Sequence, residues 1–431
     1  MKHRGRHRRR RRGRALRAAL AGTALALTAA ATMISASQAT VGDNPGALKP
    51  LTSSDATDAL RLREHLVPQT SLDRLSSAMG RPVGVGAVLA DADDSLRDAA
   101  DCTAGERTSL PVEPAATRAY CWNTADTHAW QPGAVTTSGD ADDDGMWGEN
   151  RVILSGWSHQ ARSAAGQDLA KVAFVDANDP GRLSYTWVLL VVPVDGGRTY
   201  RPLASHVSGM VWYQDKLLVT TDSGDRNSLY VYDMDRVQRA TVDADAVGRV
   251  REGWSAHGYR YVLPAVGSYR PAGDERGPRL DGVSLDRSTA PDSLVAGQWV
   301  SEGSDRHARL WRYSLSPRDD RSGLLDTDTA GSARAAEAFE TKASEIRGVL
   351  SYRSDWYVGG ASDEQDGHGT LWRQNTDGAK ATQCGSDETH HRCWSPRTES
   401  LSYWEETGEL WSQSGRVLFA LPLDSVGGSL D

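Results

Sequence analysis

Phenylalanine is nearly missing from this 431-residue chain, with three Phe against 14 Trp and 13 Tyr. That skew selects aromatics with a polar tip, which suit sugar-stacking platforms and equally suit packed sheets where the tip finds a backbone partner. Long apolar runs are also lacking. Beyond Ile34 the most apolar stretch is Trp187 to Val192, far too short to cross a bilayer and readable as a strand buried on both faces. No Gly-x-Ser-x-Gly elbow, His-Glu-x-x-His helix or phosphate-binding glycine loop occurs; Gly84-Val85-Gly86 lacks the third glycine and a capped helix after it. Serine-elbow, zinc-protease and nucleotide-loop chemistry are therefore unsupported. Lysines number only six, so the basic side chains are almost all arginine.

The first seventeen residues carry Lys2, Arg4, Arg6, Arg8 to Arg12, Arg14 and Arg17 and no acid. An uncharged Ala/Leu/Thr run from Ala18 to Ile34 follows, then Ser37-Gln38-Ala39 with small residues where a signal peptidase reads. This order predicts a signal peptide over 1–39, cleaved after Ala39, and a secreted, extracellular protein. An arginine-rich nucleic-acid arm is the rival reading, but such an arm is not normally followed by an apolar run and a small-residue site. The paired arginines leave the export route open. Ten of the 49 basic residues precede Ala39, leaving 39 against 57 acidic ones, a net charge of −18. A field of that sign disfavours nucleic acid and anionic surfaces and favours a soluble monomer without membrane attachment once the signal is gone.

Four cysteines remain, and in an exported chain an even count reads as disulfides. Short loops close most easily, so the pairs expected are Cys102 with Cys121 and Cys384 with Cys393. Zinc is the rival for the second pair, because His390 and His391 lie between its cysteines.

Residues 40–101 read as a leader followed by a small helical cap. Leu60, Leu62 and Leu66 follow Ser53-Ser54-Asp55, Thr70-Ser71-Leu72-Asp73 has capping-box spacing before Leu75 and Met79, and Asp91 to Ala100 is weakly helical. Residues 102–431 are different. Short runs rich in Val, Leu, Tyr and Trp, such as Lys171 to Val175, Lys216 to Thr221, Trp356 to Val358 and Val417 to Leu421, are separated by Gly, Asp, Asn, Ser and Pro, the pattern of strands and turns.

These strands repeat. Gly209-Met210-Val211-Trp212-Tyr213, then Leu217 to Ser223, then Leu229-Tyr230 matches Gly348-Val349-Leu350-Ser351-Tyr352, then Asp355 to Ser362, then Leu371-Trp372. Weaker copies start at Gly133, Gly282 and near Ser400. Self-similarity of this kind predicts an all-β fold, a five-bladed β-propeller whose last blade is completed by a strand from near Arg118 to Trp122. A β-sandwich followed by a second domain is the alternative.

Trp130-Gln131-Pro132-Gly133, His206-Val207-Ser208-Gly209 with Trp212-Tyr213, His257 to Pro264, Ser284-Leu285-Asp286-Arg287 and Leu401-Ser402-Tyr403-Trp404 together resemble an uncharacterised family of secreted propeller-like proteins from high-GC Gram-positive bacteria. The resemblance spans roughly Tyr120 to the end. It implies fold and export and brings no activity with it.

In a propeller the residues just before each innermost strand converge at one channel mouth. Here they are Gln131, His206, Asp281, Glu345 and Glu399, a polar ring able to bind a cation, orient a sugar or supply an acid and a base for glycoside hydrolysis. Trp212, Tyr403 and Trp404, near repeat starts, are the candidate stacking residues; packing between sheets is the plainer role for any one of them. Asp140-Ala141-Asp142-Asp143-Asp144-Gly145 opens like a calcium loop, with Asp140, Asp142 and Asp144 as ligands and Glu149 as an extra one, but position twelve is Arg151. An acidic turn is the bland alternative, and no other cofactor is expected. His257, Tyr259, Arg260 and Tyr261 read as a pin between sheets. The function expected is binding of a small polar or carbohydrate ligand at the mouth; a secreted hydrolase acting on a glycan or ester and a structural interaction module are the rivals.

Overall fold

The computed structural model describes residues 44–159, 168–221, 228–273, 279–362, 367–385 and 391–430. The expected signal peptide, residues 40–43 of the leader and His390 lie outside the described residues, and the architecture below belongs to the compact unit Pro45–Asp431. Strands dominate it. Among the described residues no helix is long and apolar enough to cross a membrane.

Antiparallel four-stranded units succeed one another along the chain, labelled A to E here. Unit A is Gln131–Thr137, Val152–His159, Leu169–Asp176 and Ser184–Val194. Unit B is Met210–Tyr213, Lys216–Thr221, Ser228–Asp233 and the second half of Tyr261–Pro271. Gly282–Asp286, Ser293–Gly297, Ala308–Ser314 and Ala335–Thr341 form unit C. Ile346–Tyr352, Asp355–Gly360, Thr370–Gln374 and Ala379–Ala381 form unit D. Unit E takes three strands from the end of the chain, Thr398–Trp404, Glu409–Ser414 and Val417–Pro422, and its fourth from far upstream: Arg118–Cys121 pairs with Val417–Pro422, with Cys121 opposite Val417 and Arg118 opposite Ala420. This is the closing strand expected from the sequence. A and B are fused, because the first half of Tyr261–Pro271 runs parallel to Ser184–Val194 while its second half pairs with Ser228–Asp233. The result is an eight-strand path whose two end strands touch, so it is nearly closed.

The innermost strands contact one another in the cyclic order A, B, C, D, E and back to A, a propeller-like arrangement. The residues that lead the repeat explain how they can approach so closely. A Cβ on Gly133 would fall 1.7 Å from the Val207 carbonyl oxygen, and one on Gly282 would fall 2.3 Å from that of Arg347. Gly209 and Gly348 are similarly confined, against Val283 and against Thr398 with Leu401. Ser400 leads the last unit with a side chain, and its hydroxyl accepts a hydrogen bond from the Val135 backbone N–H at 2.7 Å. Each repeat start therefore abuts the next unit in the ring.

Large aromatics fill the gaps between units. Trp122 meets Trp157 and Tyr185 at 5.5 and 5.0 Å between E and A, and its indole N–H donates to the Gln413 side chain at 3.2 Å. The Trp/Tyr excess is mainly this packing, with ring edges interlocked; the indole N–H groups of Trp122, Trp157 and Trp254 find internal acceptors, whereas those of Trp187, Trp212, Trp311, Trp394, Trp404 and Trp411 are buried without one among the described residues.

The segment before the first unit, expected to be helical, is part helix and part strand. Helices occur at Ser54–Asp58, Gln69–Met79 and Val85–Ala90, but the chain between them is a belt that adds edge strands. Leu48 N–H bonds to Asn375 of unit D, Lys49–Pro50 pairs with unit C, Leu62–Leu66 with unit B, Asp94–Ser95 with unit A and Arg97–Asp98 with unit E. Leu62 and Leu66, expected on a helix, lie in a strand because the open edge of Tyr261–Pro271 offers partners for the backbone groups on one side of it and Ser332–Ala333 for those of its first residues on the other. The expected capping box at Thr70 does not form; the helix starts one residue earlier with Pro68 as its cap and no side-chain cap bond. Asp91 to Ala100 holds two short strand pairings in place of a helix. Both expected disulfides are present: Cys102–Cys121 fastens the belt to the closing strand and Cys384–Cys393 staples the edge of unit D.

Candidate functional site

Each innermost strand begins at the same end of the ring, so residues ahead of the strands share one face. The strands are irregular there. Register shifts fall between Pro132 and Ala134, Ile346 and Gly348, and Thr398 and Leu401, and such bulges re-aim side chains. The last two place Arg347 and Glu399 close together. Protein surrounds Glu399 although water reaches part of its surface. Burial pushes its carboxyl up to about 7, against the opposing pull of the Arg347 and Arg397 guanidiniums. A carboxyl that titrates near neutrality, with the charges of two exposed arginines acting on it, can accept or donate a hydrogen bond.

The remaining ring positions behave differently from one another. The His206 imidazole packs beside Gly133, its Cε1 within 3.5 Å of where a Cβ would stand. Gln131 is exposed and lines a cleft with Arg397. Asp281 is largely buried, its carboxylate accepting from Arg279 Nε at 2.9 Å and from the Trp299 backbone N–H at 2.8 Å. Glu345 is buried with a left-handed backbone, φ 55°, and its N–H bonds to the Val300 carbonyl. The charges of Arg347 and Arg397 thus act on Glu399, and Gln131 shares a cleft with Arg397. Asp281 and Glu345 instead anchor the Trp299–Val300 loop.

The three aromatic candidates do not belong to this mouth. Trp212 is fully buried against Trp147 at 5.2 Å, and Trp404 is buried beneath Gly139 and Gly145 with Arg151 over its ring at 5.7 Å. Tyr403 is half-buried, 4.9 Å from Tyr352, and burial pushes its hydroxyl up to about 12. It stands four residues beyond Glu399 on one strand, roughly 13 Å away at ordinary strand rise and so near the opposite end of the ring.

The aspartates of the acidic turn are spread apart. Asp140 is buried and its carboxylate accepts from Thr136 Oγ1 at 2.6 Å and Ser402 Oγ at 2.8 Å, tying units A and E at the far end of the axis. Asp144 accepts from the Met146 N–H, Asp143 pairs with Arg287, and Asp142 ends a short helix exposed to solvent. Asp140, Asp142 and Asp144 form no ligand cluster among the described residues. The one close group of metal-type side chains there is Cys102, Glu106 and Cys121, whose sulfurs are spent in a disulfide.

One constellation has no counterpart among the expected sites. The Lys171 side chain, buried in unit A, holds its ammonium 3.6 Å from the centre of the Trp187 ring, 4.1 Å from Trp130 and 5.3 Å from Tyr259, and donates to the Asp126 carbonyl at 3.2 Å. Burial lowers it to about 7, while Asp126 and Asp94 pull the other way. A lysine inside the apolar run Leu169 to Val175 is the sequence signal that points to it. Tyr259, expected as a sheet pin, belongs to this cage; beside it Arg239, rather than Arg260, lies over Tyr261 at 4.9 Å, and the Tyr261 hydroxyl donates to Asp91 at 2.5 Å.

No protein-family model matches the chain, and no curated protein matches it. Among solved structures, Drosophila Plexin A in complex with Semaphorin 1b is similar over 73% of this chain and 88% of that chain, at 8% identity and a TM-score of 0.28, a level that carries no inference about function.

Proposed function

We propose that the chain is an exported five-bladed propeller, each of units A to E a blade, that binds a small polar or saccharide ligand at the mouth where its inner strands begin. The cyclic contact of the inner strands and the closing strand Arg118–Cys121 support the blade count. The arginine-rich start, the apolar run and two disulfides support export. The observation that carries the binding reading is the meeting of Glu399 with Arg347 and Arg397 beside Gln131, where strand bulges gather mixed charge that a packed sheet has no need of. Glycan-array binding and a broad hydrolase screen on protein lacking residues 1–39 test it. Stoichiometric binding lost in Glu399→Gln and Arg347→Ala, with neither variant melting below wild type, is the expected result. No binding, or variants that melt early without altered affinity, would overturn it. The raised Glu399 carboxyl favours one second reading, a glycan hydrolase with Glu399 as its acid; turnover abolished in Glu399→Gln would select that reading.

A further inference from the structure

Beside the mouth, between units E and A, lies a cleft of about 580 Å³, within the usual range for small-ligand sites. Its outer wall is the turn Ala104–Arg107, fixed by a reciprocal Thr103–Glu106 capping box and by the neighbouring Cys102–Cys121 disulfide. Its inner wall carries Gln131, Trp130, Arg397 and Arg416. Three arginines reach it in all, and they are not equivalent. Arg97 is neutralised by Glu106 at 2.6 Å and also donates to the Asp101 and Trp122 carbonyls. Arg416 donates from Nε and Nη2 to Thr127 Oγ1 and the Thr127 carbonyl, both at 3.1 Å, which fixes its guanidinium plane without neutralising it. Arg397 is exposed. Two positive charges therefore line a cleft in a chain of net charge −8, and a guanidinium fork suits a planar carboxylate.

Trp130 decides between ligand classes. A tryptophan on a cleft wall often serves a cationic ligand, but here the Lys171 ammonium sits 4.1 Å from the ring and already occupies that role. A second cation would be repelled. The ring remains an apolar wall for a sugar, and the hydroxyls of Thr124 and Ser109 with the Gln131 amide provide hydrogen-bonding partners for a polyhydroxylated ligand.

The geometry points to this cleft as a site for an acidic saccharide, its carboxylate held by Arg397 and Arg416 and its ring against Trp130. The inference rests on the reading of the mouth as a ligand site and gives that ligand its charge. Titration calorimetry of the protein lacking residues 1–39, with digalacturonate against its neutral counterpart galactobiose, separates the two. Digalacturonate is expected to bind about tenfold or more tightly than galactobiose, to weaken as salt rises, and to lose about tenfold in affinity in Arg397→Ala, an exposed position whose removal leaves melting unchanged. Arg416→Gln should weaken it likewise. Equal affinity for the two sugars, or digalacturonate binding indifferent to salt and to Arg397→Ala, would overturn the acidic-ligand inference while leaving the mouth as a ligand site. Binding of neither sugar overturns the inference, and the mouth reading falls with it only if the glycan array is also blank.

Discussion

Replacing Lys171 by methionine should stabilise the protein near neutrality, although it removes a charge, three ring contacts and a hydrogen bond. Lys171 is 1% exposed, and the fall of its ammonium from 10.5 to about 7 corresponds to about 5 kcal/mol against the charged form. Cation–π contact in a desolvated cage returns about 2 kcal/mol, which leaves a penalty of about 3 kcal/mol. Methionine is of similar length, fills the cage and carries no such penalty. The pH dependence has a definite sign. Between about pH 7 and 10 the unfolded chain holds a proton on Lys171 that the folded chain binds less readily, so the wild type gains stability as pH rises through this window. The methionine variant lacks that gain. Denaturant unfolding should therefore show Lys171→Met ahead by about 3 kcal/mol at pH 7 and by about 1 kcal/mol at pH 9.5. Comparing the two proteins at each pH cancels the tyrosines, several of which are also shifted upward by burial. A variant less stable than wild type at pH 7, or a gap that does not narrow with pH, would refute the reasoning and make the caged ammonium a net source of stability.

Four other substitutions have clear expectations. Glu399 has a folded-state value raised from 4.5 to about 7, so the folded chain binds the proton more readily and wild-type stability falls as pH rises through that window; Glu399→Gln should match wild type at pH 4 and exceed it by about 1–2 kcal/mol at pH 8 in urea unfolding, the full shift being discounted for partial exposure. Gly133→Ala would drive a Cβ into the Val207 carbonyl and should cost about 3 kcal/mol or more, whereas Gly378→Ala, with nothing within 4 Å, should stay within about 0.5 kcal/mol of wild type; equal melting temperatures for the pair would contradict the close approach of units A and B. Asp140→Ala strands the Thr136 and Ser402 hydroxyls in a buried site and should cost about 3 kcal/mol in the same assay, with wild-type melting unmoved by added calcium.

Local chemistry makes the strand content, the repeat and the closing strand legible in the amino-acid sequence. Alternating Val, Leu, Tyr and Trp between turn residues specifies strands, and the glycine that leads each repeat records a place where backbones meet without room for a Cβ. Cysteine spacing suffices for the disulfides because short loops close at low entropic cost. The belt escapes such a reading for an equally physical reason. A stretch such as Leu62 to Leu66 has no conformation of its own that outweighs the hydrogen bonds of an open strand edge, and that edge is supplied about 200 residues away in sequence. The site is half visible. Position before an inner strand locates Gln131, His206 and Glu399, but bulges and loop contacts, which depend on the whole ring, bring Arg347 and Arg397 to Glu399 and turn Asp281 toward the Trp299 backbone. Whether an aspartate faces solvent or is buried between two units of the ring, as Asp140 is, and whether a lysine in an apolar strand is caged by rings from three other segments, are settled by desolvation and pairing in three dimensions; the sequence names the groups, and only the packed structure fixes the dielectric and the partners around them.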